Sequence, residues 1–222
     1  MDEERKNPWP LAWGLTALCC FTLVGGLAFI AVASAPEPVK PISSFGTFTA
    51  KDKAFACAYP ANWKSRSFGG SNGTLSGGVF QQGSASISVE ADLAGSLMGD
   101  IMKAPGAMMS DIGSQPGMGA VAGPAMKPPV EKLHEAAAAK MEKEYPDYQE
   151  QPAQAFQTRI GEGRYSEFTH AGALGSKYHG FRATILGGER RIEVICDAPE
   201  RDWDLVRKPF LQVIGSVSPG GA

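Results

Sequence analysis

The sequence predicts an α+β domain, an antiparallel β-sheet flanked by helices, behind one N-terminal transmembrane helix. Three observations carry this reading. Two blocks of short β-type runs, 46–91 and 155–197, are divided by an amphipathic helical stretch at 130–145 and closed by another at 200–217, the pattern of a sheet that buries its faces against helices. Glycines mark turns inside the second block, at Gly161, Gly172, Gly175 and Gly187-Gly188, as strand hairpins in series require. Between Lys6 and Glu37 there is no charged residue.

Length and composition set the outer bounds. A chain of 222 residues holds one tail, one membrane segment and one domain, since domains run to about 100–200 residues. Hydrophobic residues at 43 % and charged residues at 20 % exclude wholesale disorder and multi-span architectures. The net charge of −2 removes the electrostatic warrant for a nucleic-acid partner.

Residues 1–10 read as a short cytoplasmic tail and Leu11 to Ala35 as the span. As a helix these 25 residues extend about 37 Å, more than the roughly 30 Å hydrocarbon core. Trp9 and Trp13 stand at its start and Pro36 and Pro38 end it, indoles favouring the interface and proline stopping helices. A cleaved signal peptide is the alternative, because Ala31-Val32-Ala33 and Ala33-Ser34-Ala35 offer small-x-small sites. Against it stand the length of the run, three acids in MDEERK, and Pro36 directly after the second site. Arg5 and Lys6 precede the run and only Lys40 closely follows it, which directs the N-terminus to the cytoplasm and the C-terminal domain outward. Cys19 and Cys20 read as small apolar helix residues.

The stretch 36–44, PEPVKPISS, reads as a stiff extended linker. The folded unit covers 45–217, with 218–222 a flexible tail. Strands are expected at Gly46–Ala50, Ala54–Tyr59, Gly78–Gln82 and Ala85–Ala91, with turn chemistry at Ser71-Asn72-Gly73. A short helix is expected near Leu93–Met102, then a long loop over 103–129 rich in Gly, Pro and Met. Val130, Leu133, Ala137, Met141 and Tyr145 form a helical stripe that Pro146 stops. Four strands follow at Ala155–Ile160, Arg164–His170, Tyr178–Leu186 and Arg190–Asp197. The last helix places Trp203, Val206, Phe210, Ile214 and Val217 on one side, with Pro209 as a kink or restart.

Both ends of the domain carry a resemblance. KDKAFACAYPANW at 51–63 resembles the opening of PsbP-like proteins, a strand followed by Tyr-Pro, two residues and Trp. RRIEVICDAPERDWDLVRKPFLQVIGSV at 190–217 is similar to their last strand, acidic turn and final helix. The resemblance implies an α/β/α sandwich over roughly 45–217. It also implies a binding and assembly module, as in extrinsic photosystem subunits and Ran-binding Mog-type proteins, with no shared catalytic set to carry over. The chain departs from the family pattern in its apolar run and in the 103–129 insertion.

Chemical motifs point the same way. Gly69-Gly70-Ser71-Asn72-Gly73 matches G-x-S-x-G in letters, but a nucleophile elbow needs a helix after it. His134-Glu135 opens like a zinc helix, yet Ala138 stands at the second ligand position. His134, His170 and His179 have no metal-ligand spacing and read as surface or strand histidines. Asn72-Gly73-Thr74 is a glycosylation sequon. Six methionines fall between 98 and 126; Met98, Met102, Met108 and Met109 are the speculative Cu(I) ligands, against the plainer reading of an adaptable apolar surface. Cys57 and Cys196 alternate with large apolar residues on their strands, so both are expected to face one core. In an oxidising compartment they are expected to form a disulfide, with two buried free thiols as the alternative. The functional expectation is a membrane-anchored extracytoplasmic binding or scaffold module, not an enzyme, without cofactor. It holds to the bilayer through 11–35 and to a protein partner in the envelope. The alternatives are an envelope hydrolase and copper binding by the Met-rich loop.

Overall fold

The computed structural model describes residues 37–69, 74–93, 128–172, 175–187 and 190–221. The apolar run 11–35, the helix expected over most of 93–102, the Met-rich loop up to residue 127 and the turn at 71–73 lie outside these residues. Among the described residues no helix is long and apolar enough to cross a membrane.

Strands β1 (Phe45–Thr49) and β2 (Ala56–Pro60) form a hairpin of their own, Phe45 opposite Pro60 and Thr49 opposite Ala56. The large sheet begins with a meander of β3 (Lys64–Gly69), β4 (Leu75–Gln82) and β5 (Ala85–Leu93). Helix α1 (Pro129–Glu144) follows, then β6 (Gln149–Glu150) and β7 (Gln154–Gln157). A second meander holds β8 (Glu162–Ala171), β9 (Lys177–Gly187) and β10 (Arg190–Pro199). A 3-10 turn at Glu200–Asp202 leads into α2 (Trp203–Gly215).

The two meanders join along β5 and β10, which pair antiparallel from Arg190 opposite Leu93 to Asp197 opposite Ser86. The order is β3-β4-β5-β10-β9-β8-β6, and β7 also pairs with β8. Strands β6 and β7 are therefore one edge strand interrupted at 151–153, where Pro152 supplies no donor. Sequence periodicity missed β3 and β6. The first, KSRSFG, is an edge strand exposed at nearly every position, and the second is two residues long.

Alternation divides the sheet into two unlike faces. Ile87, Val89, Ala183, Ile185, Ile192, Val194 and Cys196 point to one side and are buried. The β1–β2 hairpin and α2 cover this side. Phe48 lies over Gly78, where a Cβ would come within 2.8 Å of its ring, and Tyr59 stacks on Phe80 at 4.7 Å. Trp63 packs edge-on against Phe210 of α2 at 6.0 Å. The Tyr-Pro-x-x-Trp motif thus fastens the hairpin to both the sheet and the helix. Helix α2 buries Trp203, Val206, Phe210, Val213 and Ile214 and runs without interruption through Pro209. Proline at that position removes only the bond to the carbonyl of Leu205, a residue that is exposed. Helix α1 lies on the opposite face over β8 and β9, so the expected α/β/α layering is present.

The chain ends depart from the sequence reading. The proline-containing stretch is strapped to the domain: Val39 is 6 % exposed within the core, Lys40 N–H donates to Gln82 Oε1 at 2.7 Å, and Ala61 N–H to the Ser44 carbonyl at 3.0 Å. Asn62 Nδ2 donates to the Pro41 carbonyl. The proline spacing conceals one apolar residue that finds a core site. Ser218, placed in the tail by the sequence, exchanges backbone hydrogen bonds with Ala56 at 2.8 and 2.9 Å.

Burying a valine contributes about 1.5 kcal/mol, and the strap's hydrogen bonds add to it. A chain starting at Phe45 should accordingly melt about 4–8 °C below one starting at Pro38, for a loss of about 2 kcal/mol. Equal calorimetric midpoints would show that the strap is dispensable.

Candidate functional site

The face beneath α1 is polar, and its centre is Arg182. This β9 side chain is fully buried, and a guanidinium stays protonated in any protein environment, so its charge needs a counter-ion in place. Glu150 of β6 provides it, Oε1 accepting from Arg182 Nη2 at 2.6 Å. Tyr148 O–H donates to Glu150 Oε2 at 3.0 Å. Burial, and then the Glu150 carboxylate, push the Tyr148 phenol well above its usual value.

His134 of α1 closes the network. Arg182 Nη1 lies 3.2 Å from its Nδ1, and since arginine only donates, Nδ1 is the acceptor and the proton sits on Nε2. That Nε2–H donates to Ser166 Oγ at 2.8 Å, while Thr184 Oγ1 is 3.0 Å from Nδ1. Burial first, then the charges of Arg182 and Arg164, push the His134 pKa down to about 3. The imidazole is neutral, and one carboxylate faces one guanidinium, so the cluster is balanced. Arg164 completes the near end of the helix, Nη1 bound to Glu162 at 2.7 Å and Nε 3.9 Å from Glu131.

A second cluster lies toward the C-terminal end of α1. His170 of β8 is stacked on Tyr178 at 5.1 Å and meets Tyr145 edge-on at 4.7 Å. Gly180 makes room beside it, since a Cβ there would come within 2.4 Å of the Phe168 ring and the Cys196 carbonyl. His170 Nε2 stands 3.7 Å from Asp197 Oδ2, and Ser86 O–H donates to Asp197 Oδ1 at 2.5 Å. Serine, acid and histidine are all present, but the acid is in the middle. A hydrolytic triad needs the imidazole between them to take the serine proton; here the hydroxyl is bound to a carboxylate and meets no base. A shallow recess of about 280 Å³ adjoins His170, lined also by Asp147, Gln149, Thr169 and Lys177.

Of the site residues read from the sequence, the two cysteines lie within the described residues. Cys57 and Cys196 do share one core, where both stand as free, buried thiols, the alternative to the expected disulfide. Burial pushes the Cys57 thiol up to about 12. Burial raises Cys196 as well, with the charges of Asp197 and Cys57 adding to it. Met98, Met102, Met108 and Met109 lie outside the described residues. Among the described residues no three His, Cys, Asp or Glu side chains converge as metal ligands. Sequence reasoning passed over His134 as a surface residue, yet it is 2 % exposed. The signal was there: His134 falls four residues after Val130 and three before Ala137, inside the apolar stripe.

No protein-family model and no curated protein matches this sequence. Among solved structures, the solution structure of cyanobacterial PsbP from Synechocystis sp. PCC 6803 superposes with a TM-score of 0.51 at 14 % identity, covering 80 % of this chain and 94 % of that one. The fold is PsbP-like. LpqN, a protein involved in cell envelope biogenesis in Mycobacterium tuberculosis, aligns at 10 % identity with a TM-score of 0.44, over 82 % of this chain and 88 % of that one. At such identities the likeness concerns the fold alone. For the PsbP-like layers, the resemblance read from 51–63 and 190–217 and the geometry agree.

Three outcomes are expected. The folded pKa of His134, about 3, lies below the roughly 6.5 of an unfolded histidine. Its contribution is therefore whole above about pH 6.5 and is lost as pH falls from there toward 3, at no more than about 1.4 kcal/mol per pH unit. In urea titrations from pH 7 to 4, His134→Gln should flatten this dependence, and an unchanged slope would assign it to other groups. Glu150→Gln, which leaves the Arg182 charge buried without a counter-ion, should cost about 3–5 kcal/mol at pH 7. Thirdly, a thiol reagent at pH 8 should leave Cys57 and Cys196 unmodified in the folded domain and alkylate both in urea without reductant. Resistance in urea would reveal a bond between them.

Proposed function

We propose that this protein is a membrane-tethered, extracytoplasmic binding or scaffold module without catalytic activity, holding a protein partner in the cell envelope. The observation that carries the non-enzymatic part is the order Ser86–Asp197–His170, 2.5 and 3.7 Å apart in sequence of contact. The hydroxyl is held by a carboxylate and the imidazole by a ring stack, so no nucleophile is activated. The second polar cluster is likewise turned inward: Arg182, His134 and Glu150 neutralise and bind one another beneath a helix. Groups arranged so stabilise a layer; they do not present a reactive atom to a substrate. A PsbP-like fold serves binding and assembly in the family that the sequence resembles, and this supports the same reading by analogy.

Tethering rests on the 25 uncharged residues from Leu11 to Ala35, and the direction on Arg5 and Lys6 before them. In alkaline carbonate the full chain should remain with the membrane pellet. Protease added outside intact spheroplasts should remove the domain and leave a short membrane-held stub. A soluble product beginning near Ser34 overturns the tether, and purification from detergent-solubilised native membranes identifies the partner.

A further inference from the structure

We propose that the outer edge of β3 takes up an extended segment of the protein partner as a further antiparallel strand, and that this segment reads apolar, any residue, acidic, any residue, acidic. This rests on the binding-module reading and adds the chemistry of the partner. Strand β3 ends the large sheet and pairs only with β4 among the described residues, so one row of its backbone groups is open. The β4–β5 turn determines which residues form that row. Gly83, at a φ of 59°, and Ser84 make a two-residue turn between Gln82 and Ala85, and such a turn is closed by a hydrogen-bonded pair. Bonding alternates along a strand, so Phe80 and Gly78 also bond toward β5, while Gln81, Val79 and Gly77 bond toward Lys64, Arg66 and Phe68. Ser65 and Ser67 therefore turn their N–H and C=O groups outward, and both residues are exposed.

The side chains along this row select the partner. At the outer edge Lys64, Arg66 and Phe68 take the positions that do not hydrogen-bond outward, where facing side chains come closest, with Cα atoms about 4.5 Å apart. All three lie on one face of the strand. Lys64 and Arg66 are exposed, and among the described residues neither has a carboxylate within ion-pair distance. Phe68 is half-buried over Gly77. An incoming antiparallel strand thus meets an apolar position first and two cations after it. The antiparallel sense matches the other pairs of this sheet. Cations along an edge deter a strand of like charge and attract one of opposite charge. A second copy of this chain is disfavoured on that ground, because full overlap of two β3 edges brings Arg66 of one opposite or diagonal to Arg66 of the other.

The test titrates the full chain, in detergent micelles, into fluorescein-labelled peptides and reads their anisotropy. The heptapeptide TVTETET sets its valine opposite Phe68 and its glutamates opposite Arg66 and Lys64. It should bind tighter than the reversed TETETVT or the cationic TVTKTKT by about tenfold or more. Lys64→Glu combined with Arg66→Glu should invert the preference between TVTETET and TVTKTKT. Ser67→Pro removes an outward N–H that no bond to β4 uses, so it should weaken TVTETET by about tenfold or more with an unshifted melting midpoint. Undiminished binding to Ser67→Pro, equal binding of the three peptides, or no saturation by TVTETET below about 1 mM overturns strand addition. Should Ser67→Pro fail to fold, the charge-reversed variant decides, and a retained preference for TVTETET overturns the proposal. A protein partner from native membranes that stays bound to Ser67→Pro overturns it too, while leaving the binding-module reading in place.

Discussion

One buried positive charge dictates much of this molecule. Arg182 sits in the middle of β9 with no contact with water, and an uncompensated ion there would cost several kcal/mol. Its counter-ion must come from outside the strand, and Glu150 reaches it from the edge. Glu150 stands at the end of β6, just before the interruption at Pro152. The same charge accounts for what α1 carries inward, because a second acceptor for the guanidinium is needed and the neutral His134 ring is one. A lysine or a second carboxylate in place of His134 would unbalance the cluster. The imidazole accepts on one nitrogen and donates on the other, which lets it join arginine to Ser166 without adding charge.

The two sheet faces therefore adhere to their covers by different physics. On the side of α2 and the β1–β2 hairpin the contact is apolar, non-directional and tolerant of small shifts, with Phe181, Trp203 and Phe210 in ring contact under the helix and Phe80 against Phe48 of the hairpin. On the side of α1 it is directional, and a sideways shift of the helix would break several hydrogen bonds at once. The hairpin has its own tie to the sheet. Asp52 accepts from Ser76 Oγ at 2.7 Å and from Arg190 Nη1 at 3.0 Å, and although burial works the other way, these partners with the Ala54 N–H hold its carboxyl below the usual value.

How much of this was legible in the sequence differs by the range of the interaction. Local periodicity marked α1, α2 and most strands, because Val130, Leu133, Ala137 and Met141, or Ile192, Val194 and Cys196, repeat at the spacing of their element. It could not show that β5 pairs with β10 across more than a hundred residues, since strand pairing is a property of the whole chain. Strand β3 was hidden because an edge strand exposed on both faces has no alternation to detect. The polar cluster was hidden for a related reason. His134, Arg182 and Glu150 come from three distant segments, and each alone looks like a surface residue. What the sequence did contain was a histidine inside an apolar stripe and an arginine inside GFRATIL, two polar groups at positions where only a mutual partner makes burial affordable.

That signature, polar residues at core positions, is the same one an active site leaves, and the two are separated by geometry. Catalytic groups are held under-satisfied, so that a nucleophile, a base or a charge has a vacancy the substrate fills. Beneath α1 most of the bonds run the other way, although the buried Nε of Arg182 has no hydrogen-bond partner among the described residues. Arg182 spends both Nη groups on Glu150 and His134, His134 uses both ring nitrogens, and Glu150 is bound through both oxygens. A substrate entering here would have to break charge-assisted hydrogen bonds before making any. The bonds of this cluster thus fasten the helix to the sheet.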